Sequence, residues 1–245
     1  MEAASGLLPV HDSDPAVRLK LELLERTVPA MHAIVYGDMW GVEGAYTQRL
    51  RHLGVPRATL IDVFESPGWL RARLADPQLN FLKGDFSDPM FMASIREQFE
   101  IGVAYDVLLH QGPLLSALHL MLGKVLSRIV IVQPMLAERD LPGSLVYLPG
   151  NHAARELAPV APEDPDRPMS SVTEVNPAHW IWAMTPSFLK AALAGEGFTV
   201  TEEKQLDGGF PNPNWIWWGC IAERSGAGVV HWSAHTRHHD VRDAT

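Results

Sequence analysis

The residues whose types could do chemistry are three acids standing at the ends of apolar runs. Asp38 lies in AIVYGDMWGVEG (residues 33–44), Asp62 closes the run ATLID, and Asp85 follows another in FLKGDF. Gly37, Gly41 and Gly44 space the loop around Asp38. A missing Cβ there lets backbone approach a ligand and makes φ > 0 accessible. Asp62 lies about 20 residues beyond that loop, the interval at which a carboxylate accepts from the ribose hydroxyls of a bound nucleotide. The sequence has no G-x-S-x-G elbow, no H-E-x-x-H, no P-loop pattern and no C-x-x-C. Hydrolytic nucleophiles and zinc centres of those kinds are therefore excluded.

Acids in such places need strands to carry them. Residues 33–36 are apolar, β-branched and closed by a turn signal, as a buried parallel strand is. Residues 45–54 predict a helix stopped by glycine. Strand, glycine loop and helix bring backbone to a nucleotide at the open end of a parallel sheet, although an ordinary strand-to-helix turn has the same pattern. Further strands are predicted at 58–63, 79–82, 102–109 and 128–132. His110 and Gln111 fall at the carboxyl end of the fourth, where parallel sheets bind ligands. Asp14-Pro15 opens an amphipathic helix that Pro29 ends, Ser66-Pro67 opens another, and a third spans 114–126. Eight of the nineteen prolines fall between 134 and 177. Proline removes donors and fixes φ, so this interval reads as a lid or binding insertion. Thr185-Pro186 starts a helix through 195, and strands follow at 198 and 215–222. The expected organisation is a leader and helix over 1–30, one α/β domain over 31–224 with an insertion at about 134–178, and a flexible tail over 225–245.

The series D-M-W-G-V-E-G-A-Y-T, T-L-I-D-V, F-L-K-G-D-F and Y-D-V-L-L-H resembles the successive motifs of class I S-adenosylmethionine-dependent methyltransferases. By element order the resemblance covers roughly residues 33–223. It implies a Rossmann-like α/β fold with helices on both faces of a seven-stranded, mostly parallel sheet whose last strand runs antiparallel. It also implies S-adenosylmethionine as cofactor, S-adenosylhomocysteine as product, and a small-molecule acceptor such as a natural product. The cofactor residues it points to are Asp38, Trp40, Gly41, Gly44, Asp62, Asp85, Phe86, His110 and Gln111. Asp38 would face the methionine amine, Asp85 the adenine amino group, and Phe86 the adenine ring. A carboxylate does read an exocyclic amine, and an aromatic face does stack on a base. Asp85 could instead cap the helix near Pro89, a task open equally to Ser87 and Asp88. Trp40 stands where the family has a glycine, which keeps open a methyltransferase-like scaffold without activity. An NAD(P)-dependent oxidoreductase also stays open, since a glycine loop and a following acid serve that cofactor too.

Methyl transfer is mainly a matter of positioning, and a general base helps when the acceptor must lose a proton. His110 is the first candidate, because histidine titrates near neutral pH. His152 and His179 come next, and a packing or surface role suits any single histidine equally well. Tyr147, Trp180 and Trp182, with Trp215, could form a pocket for a flat or apolar acceptor. Trp217, Trp218 and the single cysteine, Cys220, read as core.

Of the 245 residues, 47% are hydrophobic and 20% charged, as in an ordinary globular domain. No run approaches the ~20 apolar residues of a membrane span. The first nine residues lack a secretory pattern, and one cysteine fits a reducing cytoplasm. A formal charge of −9 argues against gripping nucleic acid. The expected partners are thus a small acceptor, with no nucleic acid or membrane, and a homodimer through the first helix or the insertion. His231, His235, His238 and His239 read as an exposed tail, with no metal site expected.

Overall fold

The computed structural model of the chain describes residues 14–39, 42–138, 142–149, 180–210 and 212–225. Short apolar runs bounded by turns form five parallel strands: β1 (His32–Tyr36), β2 (Arg57–Asp62), β3 (Leu79–Lys83), β4 (Phe99–Tyr105) and β5 (Val125–Leu136). Helices α1 (Pro15–Glu25), α2 (Ala45–His52), α3 (Pro67–Ala75), α4 (Pro89–Ser94) and α5 (Leu114–Leu122) precede or connect them. After α6 (Pro186–Gly195), β8 (Phe198–Asp207) and β9 (Trp215–Arg224) form a closing hairpin. β6 (Leu145–Pro149) and β7 (Trp180–Met184) pair antiparallel as a separate ribbon.

The main sheet has the order β3-β2-β1-β4-β5-β9-β8, and β9 runs antiparallel to both of its neighbours. Strand order reverses between β1 and β4, and the crevice above that point is where open α/β sheets bind ligands. Alternation along each strand divides the core between two faces. Ala33 and Val35 pack with Leu19 and Leu23 of α1, Leu50 of α2 and Trp69 of α3. Ile34 and Tyr36 pack on the other face with Leu118 and Met121 of α5 and Leu189 of α6.

Caps set the helix starts. Asp14 accepts from Ala16 N–H at 2.8 Å, Ser66 from Trp69 N–H at 3.0 Å, and Asp88 from Met90 N–H at 2.8 Å. Among the three candidates before Pro89, the cap is therefore Asp88. Asp85 instead makes a local turn with Ser87 N–H at 2.8 Å.

Two boundaries differ from the sequence reading. The fourth strand is Phe99–Tyr105, not 102–109. It ends because Asp106 turns into the left-handed region (φ 55°), after which Leu108–His110 make a 3-10 turn. Both Leu108 and Leu109 are buried there, so a buried turn shows the same apolar run as a strand. The fifth strand is longer than 128–132: Val125–Leu136 pairs with β4 up to Val132 and with β9 up to Leu136. Beyond Val132 it has a neighbour on one side only, where Pro134 is tolerated. The expected insertion is thus partly regular, contributing the end of β5 and strand β6. Its middle, residues 150–178, lies outside the described residues, as do the leader over 1–13 and the tail from 226 with its four histidines. No described helix is long and apolar enough to cross a membrane.

Candidate functional site

The glycine loop leaves β1 at Gly37 (φ 70°), which donates to the Ile61 carbonyl at 2.9 Å. It folds back at once: Gly44 N–H donates to the Asp38 carbonyl at 2.6 Å. Gly44 is left-handed (φ 78°), and a Cβ there would lie 2.3 Å from Cε3 of Trp69. Its missing side chain makes room for the Trp69 ring, a reason different from the expected approach to a ligand.

Asp38 is buried. Its Oδ2 accepts from Thr47 N–H and from the Thr47 hydroxyl, both at 2.7 Å, which ties the loop to α2. Its Oδ1 is buried and has no partner among the described residues. Burial pushes the Asp38 carboxyl up to about 7 against the Thr47 hydrogen bonds, and the nearby charge of Asp62 adds to the rise. Asp62, also buried, accepts from Met39 N–H at 3.1 Å and Val63 N–H at 2.7 Å. Burial raises it to about 6, with those N–H groups opposing. The two acids predicted at the tips of β1 and β2 are thus brought together, and both brace the loop. Asp85 is exposed beyond β3. Phe86 is buried, with its ring edge-on to Tyr36 at 5.5 Å.

At the end of β4 the structure assembles a group that the sequence reading missed. Lys20 of α1 is buried and pairs with Asp106. Its Nζ lies 5.8 Å from the Tyr46 ring, 6.0 Å from Tyr105 and 5.1 Å from Trp217. The Tyr105 hydroxyl donates to the Lys20 carbonyl at 2.8 Å. The Tyr46 hydroxyl and Asp106 Oδ1 are buried without a partner among the described residues. One signal was present. Lys20 follows the apolar spacing of Ala16, Leu19, Leu23 and Leu24, so it lies on the inward face of α1.

The acceptor-side candidates lie on the other flank. Trp182 donates from Nε1 to the Gln111 carbonyl at 2.9 Å, pinning the ribbon to the turn after β4. Tyr147, exposed across the ribbon, meets the Trp182 ring at 5.5 Å. Trp215 is instead core, packed with Leu109, Ile181 and Ala183. Gln133, buried in β5, donates to Met184 Sδ at 3.1 Å, while its Oε1 is unpartnered among the described residues. His110 is exposed on the turn. His119 pairs with Glu196 at 2.8 Å on the surface, and Cys220 is fully buried. Trp40, Gly41, His152, His179 and the Trp180 side chain lie outside the described residues.

No protein-family model matches this sequence, and no curated protein matches it. Solved structures do. The 1,6-didemethyltoxoflavin-N1-methyltransferase of Burkholderia thailandensis, with 1,6-didemethyltoxoflavin and S-adenosylhomocysteine bound, is 16% identical; the match covers 87% of this chain and 80% of that one, with a TM-score of 0.59. The N-methyltransferase NodS of Bradyrhizobium japonicum WM9, in complex with S-adenosylhomocysteine, is 16% identical over 87% and 89% of the chains, with a TM-score of 0.52. Magnesium protoporphyrin IX methyltransferase from Synechocystis PCC 6803, with the same ligand, is 11% identical over 86% and 84%, with a TM-score of 0.54. At these identities what is shared is architecture: this chain has the Rossmann-like fold of the S-adenosylmethionine-dependent methyltransferases, with its antiparallel strand set between β5 and β8.

Proposed function

We propose that the chain is an S-adenosylmethionine-dependent methyltransferase acting on a small-molecule acceptor. The observation that carries this reading is Asp38 Oδ1, a buried and unpartnered acceptor at the carboxyl end of β1, beside the switch point of a sheet with this strand order. The residues present fit such a cofactor. An ammonium would complete Asp38, Asp62 stands at the tip of β2 for ribose hydroxyls, and Asp85 and Phe86 flank the way out of β3. Trp40, Gly41 and the backbone around Gly44 would close the loop over it. The solved neighbours hold S-adenosylhomocysteine in this fold, which supports the same choice here.

S-adenosylmethionine, when bound, supplies a methyl group on a sulfonium that is displaced in line by the acceptor atom. The protein's part is to align that atom and exclude water. The ribbon supports this by fixing Trp182 over the turn after β4, with Tyr147 and Gln111 against it, and Trp180 stays a candidate from the sequence alone. His110 sits on that same turn. Histidine titrates near neutral pH, so its neutral form is available there to take a proton. His152 and His179 are the reserve bases. The negative charge favours a small acceptor over nucleic acid.

Isothermal titration with S-adenosylmethionine, S-adenosylhomocysteine and NAD tests the reading. Sub-millimolar binding of the first two alone supports it, and binding of NAD alone, or of none, overturns it. A His110→Ala variant with a normal rate across pH would remove His110 from the role of base.

A further inference from the structure

Gln133 is the first residue of β5 beyond the reach of β4, whose last partner in the sheet is Val132. Its backbone therefore stands at the carboxyl end of the parallel strands, where open α/β sheets take their ligands. Its side chain reaches the ribbon, with Nε2 donating to Met184 Sδ at 3.1 Å. The residue is 1% exposed, and its Oε1 is buried without a partner among the described residues. A thioether sulfur has no hydrogen to donate, so the amide must present N–H to Met184 and turn its oxygen away. That arrangement is costly in a core, because a weak acceptor is satisfied while the stronger one stays unmade. An apolar side chain of the same size would fill the position without that cost.

The ribbon gives the oxygen its setting. Leu145 stands opposite Met184 and Tyr147 opposite Trp182, and alternate residues of a strand share a face. Met184, Trp182 and Tyr147 thus form one strip. Gln133 lies at its buried end, and the Gln111 carbonyl and the exposed Tyr147 at its outer end.

We propose that Gln133 selects the acceptor, its Oε1 accepting from a hydroxyl or ring N–H on a flat molecule lying along Met184 and Trp182. This rests on the reading of the chain as a small-molecule methyltransferase and names the chemistry of its acceptor. A thioether and an indole both favour an aromatic body. The amide oxygen accepts the hydrogen bond without taking the proton, so Gln133 orients the molecule and does not act as a base. A molecule without the donor would leave that oxygen buried and unmade in the complex, which is a strong ground for rejecting it. The alternative is that Gln133 only ties β7 to the sheet, a role that needs its N–H and makes no use of its oxygen.

The test is titration of the full chain, saturated with S-adenosylhomocysteine, with two flat pairs that differ by a methyl cap on the donor. The pairs are 2-naphthol with 2-methoxynaphthalene and 2-quinolone with its N-methyl form. Wild-type protein should bind at least one uncapped member about ten- to a hundredfold more tightly than its capped partner. Gln133→Met keeps the length and removes the amide. It should bring that ratio to within about threefold, with S-adenosylhomocysteine affinity near wild type and a thermal midpoint that does not fall. A wild-type ratio near one in both pairs, or no binding of either pair, overturns the proposal. So does a ratio that survives Gln133→Met, which would mean that bulk alone excludes the cap. A lower midpoint with all probes weakened equally shows the tie to β7 and overturns it too. Wild-type protein that does not bind S-adenosylhomocysteine overturns instead the methyltransferase reading beneath it.

Discussion

Asp38 carries a measurable consequence, because its raised pKa is a statement about folding. The folded chain holds this carboxyl at about 7 and Asp62 at about 6, against 3.8 for an aspartate in water. Between those limits the native state binds protons that the unfolded chain has released. Stability from these groups is therefore highest at acid pH, falls as pH rises from about 4 to about 7, and then levels off. Urea unfolding at pH 5 and pH 8 should show that fall, and Asp38→Asn should reduce it; an unchanged slope would refute the assignment. If a ligand ammonium comes to lie beside Asp38, binding ionises it. Titrations near pH 6.5 in buffers of different ionisation enthalpy should then report release of a fraction of a proton. Gly44→Ala meets both a left-handed backbone and the Trp69 ring, and should cost about 1–3 kcal/mol or more by thermal melting.

At the scale of elements, α1 depends on a glycine far away in sequence. A Cβ on Gly219 of β9 would lie 2.6 Å from Leu23 Cδ1 and 2.9 Å from Val132 Cγ2. Gly219→Ala should therefore push α1 from the sheet and destabilise the chain by about 1–3 kcal/mol. Leu23→Ala should cost about 2–5 kcal/mol, since Leu23 is fully buried in the same contact. The ribbon is attached differently, by the packing of Ile181 and Ala183 on Leu109 and Trp215 and by side-chain hydrogen bonds that include the one from Trp182. Trp182→Phe should cost about 0.5–1.5 kcal/mol, raise KM for the acceptor and leave cofactor affinity near wild type.

For the molecule as a whole, the apolar face of α1 is already spent on the sheet, where Leu19, Leu23 and Leu24 are buried. A homodimer, if formed, must use other surface. The net charge of −9 sets the long-range field. A duplex DNA mixed with the protein at about 0.1 M salt should show no shift on a native gel. Surface ion pairs such as Arg26 with Glu22, at 3.2 Å and half exposed, contribute little to stability.

Local pattern alone determined much of this. Runs such as AIVY and ATLID named the first strands, Ser66-Pro67 and Thr185-Pro186 named helix starts, and the aromatic run WIWW named a closing strand. Such features are legible because periodicity and capping are short-range physics. The end of β4 was not legible, since Leu108 and Leu109 are equally apolar in a strand or in a buried turn. Nor was the partnership of Lys20, Asp38, Tyr46 and Asp106. They belong to α1, the glycine loop, α2 and the end of β4, and no spacing along the chain relates them. Sheet order puts β4 beside β1, and helix packing lays α1 over the neighbouring β5 and β9. Only that arrangement brings two acids, a lysine and a phenol out of water into one place, where each alters what the others can bind.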